Sequence, residues 1–218
     1  MASQEILPGV HLLEWEGKKR LATLTSDPRP VYGERIAHGL RFWDPFRSKL
    51  AALLLKCSSC DSSLTANAKV LYLGAATGTT VSHVSDILRE GLVYAVEFSP
   101  RSMRDLLRLC ERRDNIVPIL ADAARPEIYS SMLEPVDLVY QDVAQPNQAQ
   151  IASLNCARYL KPGGSLILMI KTRSIDVTST PETVFSAEIK KLQGLEVLQS
   201  FELLPFHQDH WAILARKI

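Results

Sequence analysis

The stretch that decides the fold is Val70–Ser99, VLYLGAATGTTVSHVSDILREGLVYAVEFS. It begins with Val70–Leu73, an apolar run rich in strand formers, which is typical of a buried strand. A tight turn of small residues, Gly74–Gly78, follows, and apolar residues then recur at helical spacing over Thr79–Leu88. The pattern predicts a strand, a glycine turn and a helix.

A second buried strand is predicted at Leu92–Val96, and the acid Glu97 comes directly after it. Glycines let a backbone approach a ligand, a helix N-terminus offers free N–H groups, and an acid in this place can hold ribose hydroxyls. The turn reads Gly74-x-x-x-Gly78 and not GxGxxG, which disfavours a dinucleotide pyrophosphate. The stretch therefore predicts a nucleoside ligand without phosphates, most commonly S-adenosylmethionine (AdoMet), although a purely structural glycine turn would give the same motif.

The alternation of strands and helices continues to the end of the chain. Further strands are predicted at Ile116–Leu120, Val136–Tyr140, Ser165–Ile170, Leu195–Leu204 and Trp211–Arg216. Helices are predicted at Ser102–Arg113, Pro126–Met132, Asn147–Leu160 and Pro181–Gln193. This order predicts an α/β fold with a mostly parallel sheet, helices on both faces, and an antiparallel pair as the last two strands.

Residues 1–56 are predicted to form a small β-rich unit with a linking helix, and residues 57–218 the ligand-binding domain. In the helix Phe46–Lys56, Asp44 is the predicted N-cap. The strands predicted for the first unit are Val10–Trp15, Arg20–Thr25 and Arg35–Trp43.

The net charge of the chain is +1, with +3 in residues 1–56 and −2 in the remainder. A protein that grips RNA alone is usually more basic, so an RNA substrate would need a partner that presents it. No apolar run approaches the ~20 residues that span a bilayer, and no leader pattern opens the chain, so we expect an intracellular protein without a membrane partner.

Cys57 and Cys60 have the spacing of a zinc or redox pair. A zinc site would need a second close pair or suitably spaced histidines, and a thioredoxin-type site would lie in a different pattern. We therefore interpret the pair as a helix-end feature that could form an adventitious disulfide, and we predict no metal site.

Five residues each follow a different predicted strand: Gly74, Glu97, Asp122, Asp142 and Lys171. Ligands bind beyond the carboxyl ends of the strands in such sheets, so we expect the five at one rim. For a single acid, a solvated loop carboxylate or a helix cap would be the better interpretation. Three acids at three successive strand ends favour a binding site.

Roles can be suggested for several residues at this rim. Glu97 suits ribose hydroxyls, and Phe98 can cover one face of a base. Asp122 and the N–H of Ala123 suit an adenine edge. Asp142 and Gln145 lie nearest the centre of the sheet, where the reactive end of the ligand is expected.

Lys171 could be partly buried and paired with Asp142, although a strand-end lysine usually reaches for water. The pattern alone does not select Lys49, which has the spacing of a solvated helix face. Nor does it choose between His207 and His210, which lie three residues apart.

Several stretches of the chain together match one known family. They are Trp43–Ala52, Val70–Ile87, Gly91–Ser102, Asp142–Gln148 and Asp209–His210, with Arg29–Glu34 in addition. Through them the chain resembles fibrillarin in its archaeal form, the AdoMet-dependent RNA 2′-O-methyltransferase of box C/D guide ribonucleoproteins. The given sequence holds no Gly/Arg-rich stretch like the tail of the eukaryotic form, which favours the archaeal form. Asp44 stands where the family usually has Asn, and the run from His207 to His210 lacks the aromatic–acidic pair that commonly precedes Asp-His.

This resemblance implies a class I, Rossmann-like methyltransferase domain with a mostly parallel seven-stranded sheet and a small N-terminal β-rich domain. The catalytic residues that it implies are Lys49, Asp142, Lys171 and His210. The AdoMet contacts that it implies include residues of the glycine turn. They are Gly74, Ala75, Thr77, Gly78, Thr79, Thr80, Glu97, Phe98, Asp122, Ala123, Asp142, Val143, Ala144 and Gln145.

The implied partners are a box C/D guide RNA, the rRNA or tRNA target, a Nop-domain scaffold protein and a kink-turn-binding protein of ribosomal type. The implied location is the cytoplasm of an archaeal cell. The target nucleotide would be chosen by guide pairing, so base-reading residues are not required in this chain.

The chemistry would be an in-line displacement, in which the ribose 2′-oxygen attacks the methyl group on a positively charged sulfur, helped by alignment of the reactants. Our hypothesis is that Lys171, made a better base by burial, removes the proton, while Asp142 positions it and favours the sulfonium. Lys49 and His210 would orient the ribose and phosphate. If Asp142 bound both lysines, it would keep them charged, and their role would be electrostatic.

Three other functions compete with this one. An inactive ribonucleoprotein subunit would bind AdoMet without transferring its methyl group. A small-molecule methyltransferase would share the fold but typically adds a substrate lid, and no insertion here is long enough. An NAD-type oxidoreductase is disfavoured by the glycine turn.

Overall fold

The computed structural model describes residues 3–57 and 63–218. Within them the chain forms an antiparallel N-terminal sheet with the strand order β1-β2-β3-β5-β4. Its strands are β1 (Ser3–Leu7), β2 (Val10–Trp15), β3 (Lys18–Leu24), β4 (Ile36–Ala37) and β5 (Leu40–Trp43).

The second sheet has seven strands in the order β11-β12-β10-β9-β6-β7-β8. The five strands from β10 to β8 run parallel, and β12 is antiparallel to both of its neighbours. The predicted fold class is confirmed. The strands are β6 (Lys69–Leu73), β7 (Leu92–Glu97), β8 (Ile116–Leu120), β9 (Val136–Gln141), β10 (Leu160–Lys171), β11 (Leu195–Glu202) and β12 (His210–Lys217).

Helices cover both faces of the seven-stranded sheet because its inner strands are apolar on both sides. In β6, Val70 and Tyr72 join one buried cluster, and Leu71 and Leu73 join the other, as the two-residue repeat of a strand requires. The α-helices are α1 (Lys49–Lys56), α2 (Thr79–Ile87), α3 (Pro100–Cys110), α4 (Gln148–Tyr159) and α5 (Pro181–Ile189).

Helices α1, α2 and α3 contribute to the first cluster, and α4 contributes to the second. The predicted helix at Pro126–Met132 is a 3-10 helix. In the part of the chain that the structure describes, no helix is both long and apolar enough to cross a membrane.

The N-terminal sheet shares the core of the larger domain. Val10, Leu21 and Trp43 belong to the same buried cluster as the inward residues of α1 and α2. The division of the chain at residues 56 and 57 therefore remains a prediction.

The start of α1 was predicted wrongly. The helix begins at Lys49, and the Ser48 hydroxyl caps it by accepting from the N–H of Ala51 at 3.3 Å. Asp44 instead accepts from the N–H of Phe46 in a local turn at 2.9 Å, and Phe46 is 64% exposed. An Asp before Pro favours both structures, and here the local turn forms.

Two features of the N-terminal sheet also differ from the prediction. Arg35–Trp43 is a hairpin and not one strand, because His38 and Gly39 both have positive φ, as a tight hairpin turn requires. Strand β1 was missed, since as an edge strand it carries little buried apolar pattern.

Cys57 is a buried free thiol, whereas Cys60 lies outside the described residues.

A buried network of charges joins the two sheets at α2. Asp86 of α2 accepts from Arg41 Nε at 2.9 Å and from Arg113 Nη1 at 2.6 Å. The other side of the Arg41 guanidinium donates to Glu34 at 2.8 Å. Arg41 is fully buried, and the Asp86 side chain is 3% exposed. Each charge in this network is therefore desolvated and depends on its partners.

We expect Asp86→Ala to lower the free energy of unfolding by about 3–5 kcal/mol, because it leaves Arg41 and Arg113 buried without their shared carboxylate. Urea denaturation measures the loss. The control is Asp105→Ala, which breaks an exposed pair with Arg108 and should cost at most about 1 kcal/mol. Equal small losses in both variants would contradict this account of the domain contact.

Candidate active site

Four of the five predicted rim residues lie at one cleft beyond the carboxyl ends of the parallel strands. The cleft has a volume of about 290 Å³. Gly74, Glu97, Asp122 and Asp142 line it, as predicted, whereas Lys171 does not. The other lining residues are Ala76, Val96, Phe98, Ala121, Ala123, Val143, Ala144 and Gln145.

Glu97 is buried and holds the glycine turn in place. One carboxylate oxygen accepts from the N–H of Ala76 and the other from the N–H of Ser99, both at 2.8 Å. Each oxygen keeps a further lone pair, which suits it to a pair of ribose hydroxyls. Phe98 is 69% exposed beside it and is available to cover a base.

The far end of the cleft carries a polar pair with unused hydrogen-bonding capacity. Asp122 Oδ1 accepts from the N–H of Ala124 at 2.9 Å and from Gln145 Nε2 at 3.0 Å. Gln145 Oε1 is buried and has no partner among the described residues. A buried acceptor beside a carboxylate fits the amino-bearing edge of a purine, so the chemistry of this lining suits AdoMet.

Gly74 is required because the backbone of Asp142 lies against it. A Cβ on Gly74 would stand 2.3 Å from the Asp142 carbonyl oxygen, and its φ of +86° favours glycine. Asp142 in turn donates its N–H to Leu73 at 2.9 Å. The glycine turn therefore fixes the depth at which Asp142 enters the cleft.

The remaining residues of the predicted cofactor set lie beside the cleft and do not line it. They are Ala75, Thr77, Gly78, Thr79 and Thr80. The first turn of α2 has no side-chain cap, which leaves its N–H groups for a ligand. Thr80 donates its hydroxyl to Ser48 Oγ at 3.0 Å, which links this turn to the start of α1.

Asp142 forms an ion pair with Lys49. Lys49 Nζ lies 2.9 Å and 2.8 Å from the two carboxylate oxygens, and the side chains are 20% and 23% exposed. A pair between Lys171 and Asp142, which the sequence left open beside a solvated lysine, is not formed among the described residues. Lys171 forms no ion pair in the part of the chain that the structure describes, whereas Lys49, the first residue of α1, reaches the carboxylate.

Lys171 and His210 are opposite each other on neighbouring strands, since β10 and β12 pair them directly. His210 Nδ1 donates to the carbonyl of Gln208 at 2.5 Å. Its Nε2 has no partner within residues 3–57 and 63–218. The competing His207 instead uses Nε2 against the carbonyl of Pro45 at 2.8 Å.

Burial lowers the pKa of His207 and of His210, and the charge of Lys49 acts in the same direction on both. Asp142 opposes this effect, which places both rings within the electrostatic reach of the Lys49–Asp142 pair. The four implied catalytic residues therefore share one region, although their roles remain predictions.

Sequence reasoning missed two residues that hold this region together. Ser48 caps the helix of Lys49 and accepts from Thr80, and the misplaced start of α1 hid it. Gln148 contacts the backbone of Lys171 with its buried amide. Nothing in local spacing signals that second contact.

Comparison with known proteins decides the family. The family model described as fibrillarin matches residues 1–218. The chain belongs to the fibrillarin family. The resemblance inferred from the sequence motifs is thereby confirmed.

Other members of the fibrillarin family are similar over almost their whole length. A fibrillarin-like rRNA/tRNA 2′-O-methyltransferase of Methanothrix thermoacetophila is 57% identical, with 99% of both chains covered. A fibrillarin in a solved complex with Nop5p is 43% identical, with a TM-score of 0.92, covering 99% of this chain and all of the other. Aeropyrum pernix fibrillarin, solved with natively bound AdoMet, is 45% identical, with a TM-score of 0.89 and coverages of 99% and 98%.

We expect Glu97→Gln to weaken AdoMet binding about 10- to 100-fold, because a neutral amide cannot form the charge-assisted hydrogen bonds of the carboxylate. Its NH₂ group would also face the backbone N–H of Ala76 or of Ser99, where two donors meet. Titration calorimetry with AdoMet measures the dissociation constant. Glu111→Gln, at an exposed glutamate at the end of α3, is the matched control and should leave it unchanged. An unaltered dissociation constant for Glu97→Gln would contradict its ribose role.

Proposed function

We propose that the chain transfers the methyl group of AdoMet to ribose 2′-oxygens of rRNA and tRNA, as the catalytic subunit of a box C/D ribonucleoprotein. The relative from Methanothrix thermoacetophila bears the name of this activity, and Aeropyrum pernix fibrillarin holds AdoMet. The solved fibrillarin–Nop5p complex supports a Nop-domain scaffold as the partner.

The observation that carries the proposal is the double position of Asp142. It lines the cleft whose other residues suit a nucleoside, and it also binds Lys49. A carboxylate that lies in the cofactor cleft and also binds Lys49 is placed where a cationic methyl donor and an anionic RNA backbone would meet.

Bound AdoMet would supply an electrophilic methyl group on a sulfonium sulfur. Asp142 places negative charge at that end of the cleft, where it favours a cationic ligand. Lys49 and the free Nε2 side of His210 are suited to hold a phosphate and a ribose in line with the cleft.

Lys171 is the better candidate for the base. Lys49 is held in an ion pair with Asp142. Lys171 forms no ion pair among the residues described, so its amine is available to a substrate hydroxyl. The ion pair therefore separates the roles of the two lysines.

We further propose that a guide RNA and a kink-turn-binding protein complete the assembly, and that it works in the archaeal cytoplasm. The near-neutral charge of the chain supports a need for partners in RNA binding, because a net charge of +1 provides little sequence-independent attraction for RNA. Guide pairing would then supply the target specificity.

The function is tested with labelled AdoMet, an RNA target, a guide RNA and the two partner proteins. We expect methyl transfer only in the full assembly, at one guide-specified nucleotide. A target with a 2′-deoxyribose at that nucleotide is the control and should accept nothing. AdoMet binding without transfer in any assembly would favour an inactive subunit, and transfer by the chain alone would refute the dependence on partners.

We expect Lys171→Ala to lower the single-turnover rate about 10²- to 10⁴-fold, because the proton acceptor is lost, while AdoMet binding stays within about two-fold. Lys161→Ala is the control on the same strand, since Lys161 forms an exposed pair with Asp137. Rates are measured in the full assembly from pH 6 to 9. Undiminished methylation by Lys171→Ala would rule out the base assignment.

A further inference from the structure

The buried side chain of Gln148 takes the place of a missing strand beside Lys171. Strand β9 pairs with β10 only as far as Gln141 and Leu168, so the last residues of β10 extend past their neighbour. At that point Gln148 Oε1 accepts from the N–H of Lys171 at 2.9 Å. Its Nε2 donates to the Lys171 carbonyl at 3.3 Å.

The direction of these bonds follows from the alternation of a strand. Thr172 donates its N–H to the carbonyl of Asp209, on the side of β12. The N–H and C=O of Lys171 must therefore point the other way, toward the space that β9 has left. A primary amide offers one donor and one acceptor, as a peptide group does, and can satisfy both groups at once.

Gln148 is itself held rigidly. It is fully buried at the first position of α4, and its backbone carbonyl accepts from Gln141 Nε2 at 2.7 Å. Gln141 is the last residue of β9, one position before Asp142. The side-chain amides of Gln141 and Gln148 therefore connect the end of β9, next to Asp142, to Lys171, the residue that would act as base.

We infer that Gln148 is a positioning residue for Lys171. It fixes the backbone of Lys171 at the end of β10, beyond the last residue that pairs with β9. Gln148 is fully buried and does not line the cleft, so its effect would act through Lys171. The inference rests on the proposed function, because it assumes that Lys171 takes part in methyl transfer.

The test is a double-mutant cycle in the reconstituted assembly, with single-turnover methyl transfer as the readout. Gln148→Met keeps the length of the side chain and removes both hydrogen bonds to Lys171. We expect a 10- to 100-fold lower rate, with AdoMet affinity and the RNA concentration for half-maximal rate within about two-fold. In the Lys171→Ala background the same change should cost less than two-fold, because its effect acts through that lysine.

The pH profile gives a second readout. If Lys171 is the base, the rate of the unaltered chain rises with pH, and Gln148→Met should flatten this rise. The matched control is Ser153→Ala, which removes another hydrogen-bonding side chain of α4 that has no contact with Lys171. It should lower the unfolding temperature without changing the pH profile.

Each outcome decides the inference. An equal loss in both backgrounds, or no loss in the first, would overturn the positioning role. If Gln148→Met does not fold, Gln148→Asn replaces it in the cycle, because its amide is one methylene too short to reach both groups. If the unaltered assembly transfers no methyl group, the proposed function has failed, which is a different result from an active assembly that is indifferent to Gln148.

Discussion

The carboxylate of Asp86 is the group on which the joining of the two sheets depends. It lies on α2, and it binds Arg41 from the N-terminal sheet and Arg113 from the segment after α3. Water does not screen these charges, so a displacement of the sheet along α2 would leave a buried ion unpaired. Glu34 pairs with Arg41 and so supplies a second negative charge for the two cations. It also accepts from the N–H groups of Val31 and Tyr32, which extends the network into residues 31–34.

The same network favours the neutral form of a buried histidine, His83. The hydroxyl of Thr23 donates its one hydrogen to Asp86, so at His83 it must accept from Nδ1–H. The hydroxyl of Tyr32 lies 2.8 Å from His83 Nε2 and 3.2 Å from the carbonyl oxygen of Phe42, and Trp43 stacks on the ring at 4.6 Å. Burial, Arg41 and Arg113 all lower the pKa of His83. A protonated His83 would add a third buried positive charge beside Arg41 and Arg113.

The sequence predicted the features that local pattern controls. Parallel strands bring their carboxyl ends to one edge, so the apolar runs alone placed Gly74, Glu97, Asp122 and Asp142 at one cleft. The polar residues of α2 gave no such signal. Ser82, His83, Ser85 and Asp86 are all buried, because the N-terminal sheet and Arg113 cover the part of the helix that its apolar spacing leaves open.

The contact between Lys49 and Asp142 was also beyond local pattern, since 93 residues separate them. Family resemblance named both residues, and the position of Lys171 at a strand end left open a pair between Asp142 and this lysine of the same sheet. A rule about strand ends describes a single sheet, so it cannot point to Lys49. The lysine that binds Asp142 follows the N-terminal sheet, whose docking depends on the charges around Asp86.

These long-range contacts show what the N-terminal sheet contributes to the candidate site. The glycine turn, Glu97 and Asp122 all belong to the larger sheet and could hold a nucleoside without it. Lys49, however, reaches Asp142 only because a short turn at residues 44–48 connects β5 to α1 and the docked sheet fixes the start of that helix. The Ser48–Thr80 hydrogen bond joins the same point to the cofactor turn. The N-terminal sheet, which fixes the position of Lys49, thus packs into the same core that supports the cleft. Alignment of two reactants requires that these two parts keep their relative position.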